Sequence, residues 1–246
     1  MVRSSRQQIY SNFAFILLFS CLFSLYCQFA LLVFNGNKAN YENKAVSSDL
    51  SDKLILLDAG HGGEDGGTVG VNGVYEKVLN LQMSEALEDY LRFAGFEVVQ
   101  TRTEDIMLYD KNADFKGKKK MLDLAARLRI AEELLPDLFI SIHMNSFPDG
   151  KYSGLTIYYS PNDARSQAIA ELMRSDVISH LQPNNKRELK CAGSNIYLLD
   201  RVESPSVLVE CGFLSNAAEC ELLSSAEYRH KLSLVLFSSV SSFFEE

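Results

Sequence analysis

The sequence predicts an α/β fold, a mostly parallel open sheet with helices on both faces, preceded by one N-terminal membrane span. Three observations carry this expectation. After residue 53, short apolar runs alternate with stretches of helical period. Three of the runs end on His or Glu, or lead into a His, as strands do where a parallel sheet meets its ligand crevice. Ahead of them, Phe13 to Phe34 is almost wholly apolar, long enough for a hydrocarbon core that takes roughly 20 residues.

The elements follow in order. Arg3 and Arg6 precede the apolar stretch and no further charge appears until Lys38, which keeps the N-terminus cytoplasmic and puts everything after Phe34 outside. The stretch exceeds the roughly 7 to 15 apolar residues of a cleaved signal, and no Ala-x-Ala site follows it. Residues 1–34 are therefore read as a cytoplasmic tip and signal anchor of a single-pass cell-membrane protein. Secretion after signal cleavage is the alternative, and Phe19 fits poorly with a lipoprotein signal ending at Cys21. Residues 35–52, rich in Asn, Lys, Ser, Asp and Glu, form a polar linker, and residues 53–246 form the folded domain.

Within that domain, Leu54 to Leu57, Phe96 to Gln100, Leu138 to Ile142, Leu155 to Tyr159, Ile196 to Leu199 and Val207 to Val209 read as strands. Helices are predicted from about Lys77 to Phe93, with Leu79, Met83, Leu87 and Tyr90 on one stripe, from Met121 to Leu135, Asp163 to Leu181 and Tyr228 to Phe243.

A formal charge of -8 excludes general affinity for nucleic acid, which attracts net basic surfaces. The local run from Lys116 to Lys120 reads as a solvated loop, or as a contact for an anionic polymer. Five cysteines at uneven spacing form neither a CxxC metal pattern nor a disulfide framework. Cys21 and Cys27 lie in the apolar stretch; Cys191, Cys211 and Cys220 are expected as small buried groups, with at most one disulfide among them.

The chemistry collects at the ends of the apolar runs. The first leads into Asp58-Ala59-Gly60-His61, another ends at His143 and the last at Glu210. Two of only four histidines fall at such ends, although either alone fits a structural hydrogen-bonded role equally well. The glycine-rich stretch from Gly60 to Gly67 lacks the Lys-Ser/Thr ending of a phosphate loop and holds two acids, so its glycines are expected to turn the backbone and aim His61. Glu76 opens a helix, where a carboxylate is favoured whatever its role. Beside the two histidines it completes a His, Glu, His set, an arrangement known for catalytic zinc with a fourth position left open. That assignment leaves Glu210 for proton transfer. Asn145 either orients the site and contacts substrate or forms a turn.

The stretches LDAGHGGEDGG (57–67), VYEKVLNL (74–81), LFISIHMNS (138–146) and VLVECGFLSN (207–216) resemble, in order and spacing, the signature blocks of the zinc-dependent N-acetylmuramoyl-L-alanine amidases of the type-3 amidase family. The resemblance covers nearly all of the folded domain. It implies an α/β fold with a mainly parallel sheet, Zn2+ on His61, Glu76 and His143, the catalytic glutamate at Glu210, and peptidoglycan as substrate. A short anchor with one catalytic domain is most similar to the germination-specific amidases of endospore formers, which help make muramic-δ-lactam in spore cortex. Dependence on an accessory activating protein as a partner is left open by the sequence. Glu132 departs from the Asn that many relatives have after Ile-Ala, which puts a substrate contact there in question. A membrane-tethered zinc peptidase and an inactive wall-binding module are the competing readings, separable by the products of a peptidoglycan digest.

Overall fold

A computed structural model describes residues 50–245 except 111 and 113–115. Its strands are β1 (Leu54–Ala59), β2 (Glu97–Gln100), β3 (Leu138–Asn145), β4 (Thr156–Tyr159), β5 (Lys190–Cys191) and β6 (Ser206–Phe213). The helices are α1 (Glu76–Phe93), α2 (Lys119–Leu134), α3 (Arg165–His180), α4 (Ala217–Ser224) and α5 (Ala226–Glu245). They build one six-stranded sheet in the order β2-β1-β3-β6-β4-β5, parallel throughout except where β4 meets β6. The mostly parallel α/β architecture is thus as predicted.

Central strands buried on both faces read as continuous apolar runs, and β1 and β3 do so because each face has its own cover. Residues paired across a ladder share a face. Ile55, Leu57, Leu138, Ile140, Ile142, Val207 and Val209 form one face with Leu79, Met83 and Leu87 of α1, Ile169 and Met173 of α3, and Leu232 and Leu236 of α5. Each such fully buried side chain contributes about 1.5–3 kcal/mol. The other face is covered less completely. There Leu56 and Phe139 meet Leu128 and Ala131 of α2, together with Leu198, Leu199 and Val202.

Three expectations need correction. Ile196 to Leu199 is no strand: Ile196 N donates to Gly193 O, Asp200 N to Ile196 O and Val202 N to Leu198 O, a run of tight turns. Its apolar pattern comes from Leu198 and Leu199 packing down on the sheet, while the edge position goes to the two-residue β5. The short helix α4 was not foreseen; Asn216 caps it by accepting from Ala218 N and Glu219 N. Finally, β3 and β6 run beyond His143 and Glu210, so these residues lie inside strands, just before a register irregularity between His143 and Asn145.

Among the described residues no helix is long and apolar enough to cross a membrane. The predicted span over residues 13–34 and nearly all of the linker lie outside the described residues. At the start of the described chain, a single 3-10 turn at Leu50–Asp52 packs Leu50 against the larger core.

Candidate metal centre

His61, Glu76 and His143 come from three separate segments and meet at one point. Each offers a potential ligand atom, and these atoms all lie within 4.8 Å of one another. His61 Nε2 is 3.3 Å and His143 Nδ1 3.0 Å from the same Glu76 Oε1. The two imidazole rings stand edge to face, 5.0 Å between centroids.

The local backbone explains this convergence. Gly60 N donates to Ile142 O, prolonging the contact between β1 and β3. His61 then adopts φ 61°, a left-handed conformation that costs a non-glycine residue about 1 kcal/mol or more and turns its side chain toward Glu76. A Cβ at Gly60 would lie 2.2 Å from His143 Nε2, and one at Gly67, where φ is +67°, would lie 2.5 Å from Glu76 Oε2. Both glycines are therefore required by the ligand side chains. Glu76 is the first residue of α1; its Oε2 accepts from Thr68 N (2.9 Å), and its Oε1 from Met144 N (3.2 Å) and Asn80 Nδ2 (3.3 Å).

Burial pushes the Glu76 carboxyl upward, but hydrogen bonds and charge from His143 and His61 outweigh it and hold the group below the usual carboxylate range. For His61, burial acts to lower the pKa, while Glu76 and Asp65 raise it further than burial lowers it. Asp65 Oδ2 stands 2.9 Å from His61 Nδ1, on the side of the ring away from Glu76, and so fixes ring orientation and tautomer.

Glu210 is the direct ladder partner of His143, which places both side chains on the less covered sheet face. Part of the Glu210 side chain reaches the surface, yet its Oε2 is buried without a hydrogen-bond partner among the described residues. Burial raises its carboxyl above the usual range, opposed by the nearby histidines and reinforced by Glu76. Asn145, two residues beyond His143 in β3, makes a local turn contact: its Oδ1 accepts from Ser146 N (2.8 Å). Glu132 is exposed on α2 in a groove with Arg201 and Glu203, away from the cleft that His61 and His143 line.

Two imidazoles and a carboxylate gathered around one point, with an unpartnered buried carboxylate oxygen beside them, suit a divalent cation of borderline softness. The sequence pattern of the family described as N-acetylmuramoyl-L-alanine amidase (Amidase_3) matches residues 55–241. The chain belongs to that family. It is accordingly a peptidoglycan amidase, a hydrolase. A germination-specific N-acetylmuramoyl-L-alanine amidase of Bacillus subtilis (strain 168) is 32% identical over 217 residues, 88% of this chain and 90% of that protein. The CwlD amidase of Clostridioides difficile, solved in complex with the GerS lipoprotein, superposes with a TM-score of 0.74 at 33% identity, covering 78% of this chain and 98% of that one. The catalytic domain of CwlV from Bacillus (Paenibacillus) polymyxa var. colistinus gives 0.64 at 28% identity, over 78% and 97%.

The amidase also uses residues that sequence reasoning passed over. Arg127 is buried in α2; its Nη1 donates to Asp58 Oδ1 (2.6 Å) and Ala59 O (2.9 Å), its Nη2 to His61 O (2.7 Å) and its Nε to Asp123 Oδ2 (2.8 Å). Arg102 donates to Ala59 O, Gly60 O and Lys77 O. Together these guanidinium groups hold three successive carbonyls of the loop that carries His61. A signal was present: Asp123 and Arg127 stand four apart on the apolar stripe with Leu124 and Leu128. Lys119 and Lys120, read as part of a solvated run, pair with Glu64 (2.6 Å) and Asp65 (3.3 Å) and tie the first turn of α2 to the glycine-rich loop. Cys211 and Cys220 are buried free thiols as expected, whereas Cys191 is exposed because it sits on the two-residue edge strand.

Proposed function

We propose that this amidase is zinc-dependent and hydrolyses the amide joining the lactyl group of N-acetylmuramic acid to L-alanine. His61, Glu76 and His143 would hold the metal, and Glu210 would carry the proton. The observation that carries this reading is the convergence of three ligand atoms within 4.8 Å beside the unpartnered oxygen of Glu210.

Zinc, when bound, supplies Lewis-acid polarisation of the amide carbonyl and a more acidic water at neutral pH. The protein residues do the rest. Asp65 keeps the His61 ring oriented, and the Thr68 and Met144 amides fix the Glu76 carboxylate. Glu210 removes a proton from the attacking water and delivers it to the leaving alanine nitrogen, a transfer worth roughly 10²- to 10⁴-fold. Burial that lifts its pKa toward neutrality suits a group that must both accept and return a proton.

The apolar stretch over residues 13–34 supports a signal anchor, which would present the domain outside the cell membrane. The likeness to a germination-specific amidase supports a role in spore cortex, and the CwlD–GerS complex supports an accessory protein as partner. A peptidoglycan digest analysed by mass tests the reaction. Free stem peptides beginning with L-alanine are expected; shortened stems still attached to glycan would mark a peptidase, and an unchanged polymer a binding module.

A further inference from the structure

The loop that leaves β3 carries two aromatic side chains that the fold does not bury. Phe147 is 50% exposed and Tyr152 37%. Their rings meet edge to face with centroids 4.8 Å apart, and Tyr152 lies 6.2 Å from the ring of Phe213. The loop is firmly held. Phe147 N donates to Ser215 Oγ (3.1 Å), Asn216 Nδ2 to Gly150 O (2.9 Å), Arg187 Nε to Ser153 O (2.7 Å) and Gly154 N to Glu219 Oε1 (2.8 Å). Glu219 also accepts from Phe213 N (2.8 Å), joining the loop to the end of β6. The Arg187 guanidinium packs 4.3 Å from the Phe213 ring centroid and 5.7 Å from that of Tyr152.

Phe147 follows His143 by four residues and Phe213 follows Glu210 by three, so the chain limits their separations to about 14 and 11 Å. Aromatic rings offer an apolar body with an electron-rich face, and the C–H faces of pyranose rings are their natural complement. Two side chains are too small an area for a stable protein interface, which buries about 800 Å² on each partner, but they match one or two sugars.

We propose that Phe147 and Tyr152 form a stacking ledge for the sugar rings of the glycan strand next to the residue whose amide is cut. The ledge rests on the amidase reading, since that reaction brings a muramic acid to His143 and Glu210. A tetramer of β-1,4-linked N-acetylglucosamine tests it, because it shows the same sugar faces and has no lactyl-alanine amide. Its binding to the full-length protein in detergent is followed by NMR, alongside kcat and KM on peptidoglycan.

Phe147→Ala and Tyr152→Ala are each expected to weaken tetramer binding at least about fivefold and to raise KM on glycan chains similarly, with kcat, zinc content and Tm retained. Phe147→Tyr and Tyr152→Phe, which keep the rings, should bind as wild type does. An active wild-type enzyme that ignores the tetramer, or alanine variants that bind it undiminished, overturns the ledge and leaves the amidase reading intact. Ring-dependent tetramer binding by a wild-type protein that releases no stem peptides supports the ledge and defeats the amidase reading instead.

Discussion

Burying Arg127 against Asp58 takes two charges out of water, a cost repaid only when both are fully hydrogen-bonded. Here they are: Asp58 accepts from Arg127, Thr101 (2.8 Å) and Ser141 (2.7 Å), while Arg127 reaches the His61 carbonyl. Arg127→Met strands the Asp58 carboxylate and is expected to cost about 3 kcal/mol, lowering Tm by roughly 10 °C in calorimetry. The pair also sets an acid limit. Burial raises the Asp58 pKa, but Arg127 and the two hydroxyls lower it further than that, so the folded value lies below the unfolded one near 3.9. Stability from the ionised form is then complete above about pH 4 and lost as pH falls through the depressed folded value. In urea titrations from pH 5 downward, wild type should lose stability more steeply than Asp58→Asn; equal slopes would deny the linkage. At Glu210 the expectation concerns chemistry: Glu210→Gln keeps zinc and Tm near wild type and loses at least about a hundredfold in cleavage. Loss of zinc would make it a ligand instead.

Strands proved easier to read than the segments between them. Long runs such as Leu138 to Ile142 have only one way to be buried on both faces, and the four helices of clear period were anticipated to within about three residues. Ile196 to Leu199 misled because two buried leucines in a tight turn have the same composition as a short strand. Lys190–Cys191 was invisible since both residues are exposed at an edge, and α4 has little more than two turns. The candidate site residues His61, His143 and Glu210 were legible because they stand beside apolar runs, whereas Arg127 announces itself only by a charge pair within a buried stripe. The glycine-rich loop offers a test of its own. Gly67→Ala meets both a left-handed φ and the Glu76 carboxylate, and should cut zinc content severalfold while far-UV circular dichroism stays unchanged. Full metal occupancy in that variant would argue that Glu76 has more freedom than its contacts allow.

Across the whole molecule the two sheet faces are unequal. Among the described residues, one is sealed by α1, α3 and α5, and the other, bearing His143 and Glu210, is covered by α2 and the turn segment around Leu198. Under the proposed topology the domain hangs outside the membrane, so the full-length protein should remain in the pellet after alkaline carbonate extraction. A soluble form beginning after residue 34 would reveal a removed signal.

Both histidines contact one oxygen of Glu76, and Met144, Thr68 and Asn80 secure its carboxylate from the backbone and from α1. Hydrogen bonds of the chain itself thus tie the three segments to one another. Chelation should abolish cleavage while leaving circular dichroism unchanged, and added zinc should restore activity without a refolding lag. Under the proposed zinc dependence and topology, folding and loading would then be separate events, and how many copies of the enzyme can work at a given moment would become a question of zinc supply in the space outside the cell.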